Sequence, residues 1–314
     1  MISVTMARDT FEIIDERFRS LILPHGHRDV LFEGGRWLEG PVYFGDVDLL
    51  ICSDIPNNRM LRVTGVTGPL AAAQVSEYAR PANFANGNTR DREGRLLTCE
   101  HGGRRVVRTE YDGTKTVLAD RYQGKRLNSP NDIVVRSDGT IWFTDPDYGI
   151  VSDYEGYRSD SEIGANYVYR LDPRDGSLTV VADDFERPNG IAFSPDESIL
   201  YVSDTGRSHR PDGPHHLRSF RVCPDGSLTG GDVFAVVEPG APDGFRLDEQ
   251  GNLWTSAGDG VHCFAPDGTL LGKVKVPEEV SNLCFAGTNR NRLVMTGATC
   301  LHAVYVAVRG AALV

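Results

Sequence analysis

Self-similarity constrains this chain more than any other feature. Six segments share one pattern, in which a polar residue precedes an apolar run, a turn rich in Asp, Gly or Ser, and a second apolar run. They are "EGPVYFGDVDLLICSD" from Glu39, "NGNTRDREGRLLTCEH" from Asn86, "NDIVVRSDGTIWFTD" from Asn131, "NGIAFSPDESILYVSD" from Asn189, "DGFRLDEQGNLWTSAG" from Asp243 and "SNLCFAGTNRNRLVMTG" from Ser281. Their starts lie 47, 45, 58, 54 and 38 residues apart. After this hairpin the first five units continue with two more strand candidates, often joined by Asp-Gly, the strongest short hairpin signal. Four strands per unit at this spacing describe the blade of a β-propeller.

The sixth unit has room for only three strands before Val308. The surplus run "RDVLFEGGRW" near the N-terminus can supply the fourth and fasten the two chain ends into one blade. The expectation is therefore an all-β, six-bladed β-propeller forming a single domain over 1–314, its last blade closed by an N-terminal strand, with residues 1–27 as an extension. Closure leaves only short protected sheet edges. One segment, Phe11 to Leu21, reads as helical instead.

Composition agrees and excludes partners. Gly at 34 and Pro at 17 suit many turns, and few windows carry apolar residues at helical spacing. A formal charge of −11 with no basic block speaks against nucleic acid or an anionic membrane as partner. No stretch reaches the ~18 apolar residues of a membrane helix. "MISVTMARDTFEIIDERF" carries early acids and no signal-peptide core, so a cytoplasmic location is expected. The six cysteines show no C-x-x-C spacing and sit mostly in apolar runs, as buried small hydrophobes do.

In a propeller the first strand of each unit lines a central channel, and pseudo-symmetry puts Glu39, Asn86, Asn131, Asn189, Asp243 and Ser281 in one column. Two carboxylates in such a channel repel unless a proton or a cation separates them. Oxygen ligands with two formal negative charges suit a hard divalent ion, Ca²⁺ before Mg²⁺, whereas Zn²⁺ would favour His or Cys. Asparagine at a strand start is also a common turn former. That explanation weakens where Glu39 and Asp243 replace it.

The segments "WLEGPVYF", "SPNDIVVRSDGTIWFTDPDYG", "RPNGIAFSPD" and "APDGFRLDEQGNLW" resemble, in this order, the signature segments of the senescence-marker-protein/gluconolactonase family, which includes luciferin-regenerating and drug-responsive lactonases. The resemblance runs from about Trp37 to Leu301. It implies a six-bladed propeller and a lactonase dependent on one divalent cation, most often calcium, with a small-molecule lactone as substrate. It places metal ligation on Glu39, Asn189 and Asp243, the catalytic acid/base on Asp243, and substrate or metal contact on Asn131. Members acting on sugar lactones can carry an arginine two residues before that asparagine. Here Ser129 takes that place, with Lys125 and Arg126 the nearby cations.

Ser129, Asp145 and His101 join Asn131 as candidate substrate contacts, with Asp147, Tyr148 and Glu100 as further rim candidates. A phosphotriesterase resembling diisopropyl fluorophosphatase and a non-catalytic, calcium-stabilised ligand-binding propeller are the alternative readings. No G-x-S-x-G, H-E-x-x-H or P-loop occurs, and "DPDYG" lacks the remaining ligands of an EF-hand.

Overall fold

The computed structural model describes residues 10–68 and 73–311. Six small antiparallel sheets form a ring, each ordered from the channel outward. The first blade runs Leu38–Phe44, Leu49–Asp54, Arg59–Thr64 and Gln74–Ala79. The inner strands of the next four begin at Ala85, Ile133, Pro188 and Phe245. The Asp-Gly turns form as their chemistry requires. At Asp138-Gly139, for example, the glycine takes φ +84° and the Asp138 carboxylate accepts from the Thr140 amide at 2.9 Å.

The sixth blade closes the ring as the repeat count requires. Its chain supplies Val280–Ala286, Arg292–Gly297 and Cys300–Tyr305, and Asp29–Glu33 adds the outermost strand, Asp29 opposite Ala303 and Glu33 opposite Cys300. The fully buried Arg292 side chain reinforces the clasp with a 2.8 Å ion pair to Asp29.

The helix expected over Phe11 to Leu21 is not formed. Phe11–Ile13 is a strand that lies antiparallel on Leu270–Lys275, making the fifth blade five-stranded, and Glu16–Ser20 is a 3₁₀ turn capped by the Asp15 carboxylate. Phe11 and Ile13 satisfy a two-residue period as well as Phe11, Ile14 and Phe18 satisfy a helical one. The open edge of the fifth blade decides between them, since its backbone groups need partners. Phe18 then buries completely, 5.8 Å from the Trp254 ring and against Gly272, where a Cβ would collide with it. Of the expected extension, residues 1–9 lie outside the described residues. No helix among the described residues is long and apolar enough to cross a membrane.

Apolar clusters fill the wedges between blades, such as Trp254, Leu271, Leu283 and Phe285 between the fifth and sixth. All six cysteines are free, and Cys52, Cys99, Cys263 and Cys284 are buried. At the channel the blades approach more closely than side chains permit. The amides of Gly87, Gly190 and Gly244 donate to the carbonyls of Asn131, Asp243 and Ser281 on the next blade at 2.8, 3.2 and 2.7 Å. Hydroxyls of the second strands add to this ring. Ser53 donates to the Asn86 carbonyl at 2.7 Å, Thr144 to that of Asn189 at 2.6 Å and Ser203 to that of Asp243 at 2.9 Å.

A Cβ at Gly190 would lie 2.2 Å from the Asp243 carbonyl oxygen, a backbone atom that cannot yield locally. Gly190→Ala is therefore expected to cost about 1–3 kcal/mol, as overpacking does, read as a lowered thermal midpoint of the purified protein. A midpoint equal to wild type would show that the inner strands have slack at this level.

Candidate active site

Five of the six column residues converge. Glu39, Asn86, Asn131, Asn189 and Asp243 all line one cavity of about 420 Å³. Each stands where an inner strand begins, and irregular pairing there turns the side chain to the channel, as between Glu39 and Val42 or Pro188 and Ile191. Ser281 does not join them. Its hydroxyl is spent on the Leu38 carbonyl and on Thr296, joining the sixth blade to the first. Its buried neighbour Asn282 supports the site from behind, donating to Glu39 Oε2 at 2.9 Å.

The wall of the cavity comes from loops the repeat does not predict. Trp37, Tyr148, Tyr154, Glu155, His209 and Glu279 complete much of it. Tyr148–Val151 is a four-residue helical turn, and the following loop folds back on it through Tyr157 N to Gly149 O at 3.1 Å. This covering loop is braced on three blades. The Tyr157 ring packs edge-on against Phe84 at 5.2 Å, Arg36 sits over the Tyr154 ring at 5.3 Å, and the Tyr148 hydroxyl meets Thr205 and Ser208 at 2.7 and 2.8 Å.

Among the described residues the cavity gathers four carboxylates, of Glu39, Glu155, Asp243 and Glu279, and no Lys or Arg lines it. Burial pushes Glu39 up to about 8, against the hydrogen bond from Asn282. Burial and then the charge of Glu39 push Asp243 well above the usual carboxylate range. Burial likewise raises Glu155 to about 7 and lifts Glu279. Such a cluster needs protons or a cation to be stable.

The amides fit a cation. Asn189 gives its Nδ2 to Thr205 Oγ1 at 3.3 Å, leaving the carbonyl oxygen available, and Asn86 Oδ1 is buried with no hydrogen-bond partner. A donor set made wholly of carboxylate and amide oxygens is what a hard divalent ion takes. Elsewhere Glu278, Cys300 and His302 bring ligand atoms within 4.8 Å of one another, but Glu278 there already accepts from the Thr299 and Cys300 amides and from His302.

Three of the residues expected to touch substrate are buried beside the cavity and do not line it. Ser129 Oγ donates to the Pro146 carbonyl at 2.6 Å and accepts from the Gly149 amide at 2.9 Å. Asp145 accepts from the Asn128 amide at 2.9 Å, as Asp54 does from Arg36 and Asp204 from Glu186 and Arg187. The acid closing these second strands is thus a repeated brace for the loop entering the inner strand. His101 is wholly buried and bonded to Asn86 at 3.1 Å.

Of the rim candidates, Tyr148 lines the cavity, Asp147 pairs with Arg187 at 2.7 Å, and Glu100 is buried against Arg105 and Lys115. Lys125 and Arg126 lie in a short strand away from the cavity. A larger recess of about 680 Å³, lined by Val42, Ala192, Phe193 and Phe285 among others, contains none of the column. Arg246, which lines it, is paired at 3.2 Å with the buried Asp132, one residue beyond Asn131.

Residues 37–299 match the family described as the SMP-30/gluconolactonase/LRE-like region. The chain is 35% identical to the gluconolactonase of Zymomonas mobilis over 280 residues, which cover 82% of this chain and 75% of that protein. It is 30% identical to the pentonolactonase XacC of Haloferax volcanii over 275 residues, covering 83% and 81%. The solved structure of XC5397 from Xanthomonas campestris, described as a gluconolactonase, is 37% identical, covers 97% of both chains and superposes with a TM-score of 0.88. The six blades, the converging column and these matches together make the chain a member of the SMP-30/gluconolactonase/LRE-like family.

Proposed function

We infer that the protein is a lactonase that opens a small sugar-type lactone by hydrolysis, and that Glu39, Asn189, Asp243 and Asn131 hold one divalent cation, Ca²⁺ by the character of its ligands. The observation that carries this reading is the meeting of two column carboxylates and three asparagines in one cavity that, among the described residues, no Lys or Arg lines. The gluconolactonase and pentonolactonase relatives support lactone opening over phosphotriester hydrolysis or a purely structural propeller.

When bound, the cation supplies Lewis acidity toward the lactone carbonyl oxygen, a contribution typically worth several kcal/mol. The remaining work falls to the chain. Asp243 accepts the proton of the attacking water and returns it to the ring oxygen as the acyl–oxygen bond breaks. Metal ligation lowers a carboxylate's basicity, but a strained ring ester needs only modest help from its base. Asn131, whose side-chain amide makes no hydrogen bond within the protein among the described residues, orients substrate or water. Trp37, Tyr148 and Tyr154 give the cavity an aromatic wall against which a sugar ring can pack, while the carboxylates of Glu155 and Glu279, unpaired among the described residues, can accept from its hydroxyls.

Two outcomes test this assignment. Glu39→Gln nearly keeps shape but removes a charge, and is expected to weaken Ca²⁺ binding at least as much as the ~10- to 100-fold that loss of a ligand's supporting partner costs, measured by equilibrium dialysis. Wild-type affinity would place the ion elsewhere. Asp243→Asn keeps an oxygen for the ion but removes the proton acceptor. Its kcat on glucono-δ-lactone should fall ~10²- to 10⁴-fold and stay low at saturating Ca²⁺. Full recovery at high metal concentration would reduce Asp243 to a ligand.

A further inference from the structure

His101 has no surface in the cavity, yet it reaches the cavity through one neighbour. Its Nδ1 lies 3.1 Å from the backbone carbonyl of Glu155 in the covering loop, and its Nε2 lies 3.1 Å from Asn86 Nδ2. A carbonyl can only accept, so Nδ1 carries the ring proton. With the ring proton on Nδ1, Nε2 keeps its lone pair, and the Asn86 NH₂ group that faces it at 3.1 Å donates to it. Asn86 must therefore present its NH₂ group to His101, because the flipped amide would set two acceptors face to face.

That orientation determines where Asn86 Oδ1 goes. It lies on the other side of the amide, in a residue that is 3% exposed and lines the cavity beside Glu39, and it has no hydrogen-bond partner. A buried amide oxygen with nothing to accept from is unfavourable, and an electropositive partner relieves it. The ring that orients it is itself held. A Cβ on Gly149 would lie 2.6 Å from His101 Cβ, so the covering loop can close over the imidazole only because residue 149 is glycine. Beside it the Phe84–Tyr157 contact pins the same loop to the second blade.

We propose that Asn86 adds its amide oxygen to the cation held by Glu39, Asn189 and Asp243, and that His101 is the positioning residue that keeps this oxygen turned inward, anchored on the carbonyl of Glu155. This rests on the cation site inferred above. It extends that site to the second blade and ties its geometry to the loop that covers it.

Ca²⁺ binding to the full chain, stripped with a chelator and titrated by calorimetry, tests the relay without reference to activity. Asn86→Leu keeps the volume and removes the oxygen, and His101→Phe keeps a ring and removes both nitrogens. Each is expected to weaken Ca²⁺ binding by ~10- to 100-fold. His101→Gln, which offers an amide oxygen near the Nε2 position, should recover most of the affinity. The double variant Asn86→Leu/His101→Phe should bind no more weakly than Asn86→Leu alone, since nothing remains to be positioned.

Wild-type affinity in Asn86→Leu, or losses that simply add in the double variant, would overturn the proposal. Glu39→Gln separates it from the site itself. If Glu39→Gln is weakened and Asn86→Leu is not, only the relay falls, whereas wild-type affinity in both removes the cation site. Should His101→Phe not fold, His101→Asn, which can still donate to the Glu155 carbonyl but cannot reach Asn86, carries the same expectation.

Discussion

The innermost strands of a propeller meet edge to edge around a narrow channel, and their backbone amides there have no further strand to pair with. In this protein that demand is met by a ring in which the amide of a glycine donates to the carbonyl of the residue that opens the next blade, as Gly190 does to Asp243. A buried backbone group left unpaired would cost as much as a lost hydrogen bond. Glycine is needed because the donor and the acceptor backbone come within van der Waals distance of where a Cβ would sit. Four of the residues whose carbonyls serve the ring, Asn86, Asn131, Asn189 and Asp243, also turn their side chains to the cavity, whereas Ser281 serves the ring alone. Ring closure and site construction thus use opposite ends of one set of residues, so a disturbance of the axis is also a disturbance of the site.

What collects at the axis is electrostatically unfavourable by itself. Burial drives Glu39 up, burial and then the Glu39 charge drive Asp243 up, and Glu155 and Glu279 add acid at the rim. A fold optimised only for stability would not place four carboxylates around one cavity that no Lys or Arg among the described residues lines. The excess is intelligible when the cavity is read as a receptacle for a cation and a hydroxyl-rich ligand. The covering loop serves the same end. It supplies Tyr148, Tyr154 and Glu155 as wall, and through the Glu155 carbonyl it also holds His101 and hence the Asn86 amide.

Much of this was readable in the chain as written. The repeat, its Asp-Gly turns and its short last unit lead to six blades and an N-terminal closing strand, because turn chemistry and strand alternation are local properties. The column predicted which residues would face the channel, and five of its six members do. Ser281 departs because the seam between the last blade and the first needs a hydroxyl to satisfy the Leu38 carbonyl, a demand visible only once the ring is closed. Asp145 repeats in sequence for a structural reason, bracing the loop that enters the inner strand of its own blade, and the repeat alone cannot distinguish a recurring brace from a recurring ligand. Glu155, Glu279 and His209 carried no signal, since they lie in loops without symmetry mates of the same type.

The sequence by itself determined the number of blades, the closure and five of the six expected polar residues at the channel, because each follows from a pattern repeated every few dozen residues. The tertiary structure decided everything that depends on two distant segments meeting. The ambiguous Phe11–Ile13 became a strand because the fifth blade had an unpaired edge. Which acids share a cavity, which way the Asn86 amide turns, and that His101 acts on the site without entering it all follow from contacts between blades and loops far apart in the chain. Burial and hydrogen-bond complementarity set those contacts, and neither is a property of any single stretch of sequence.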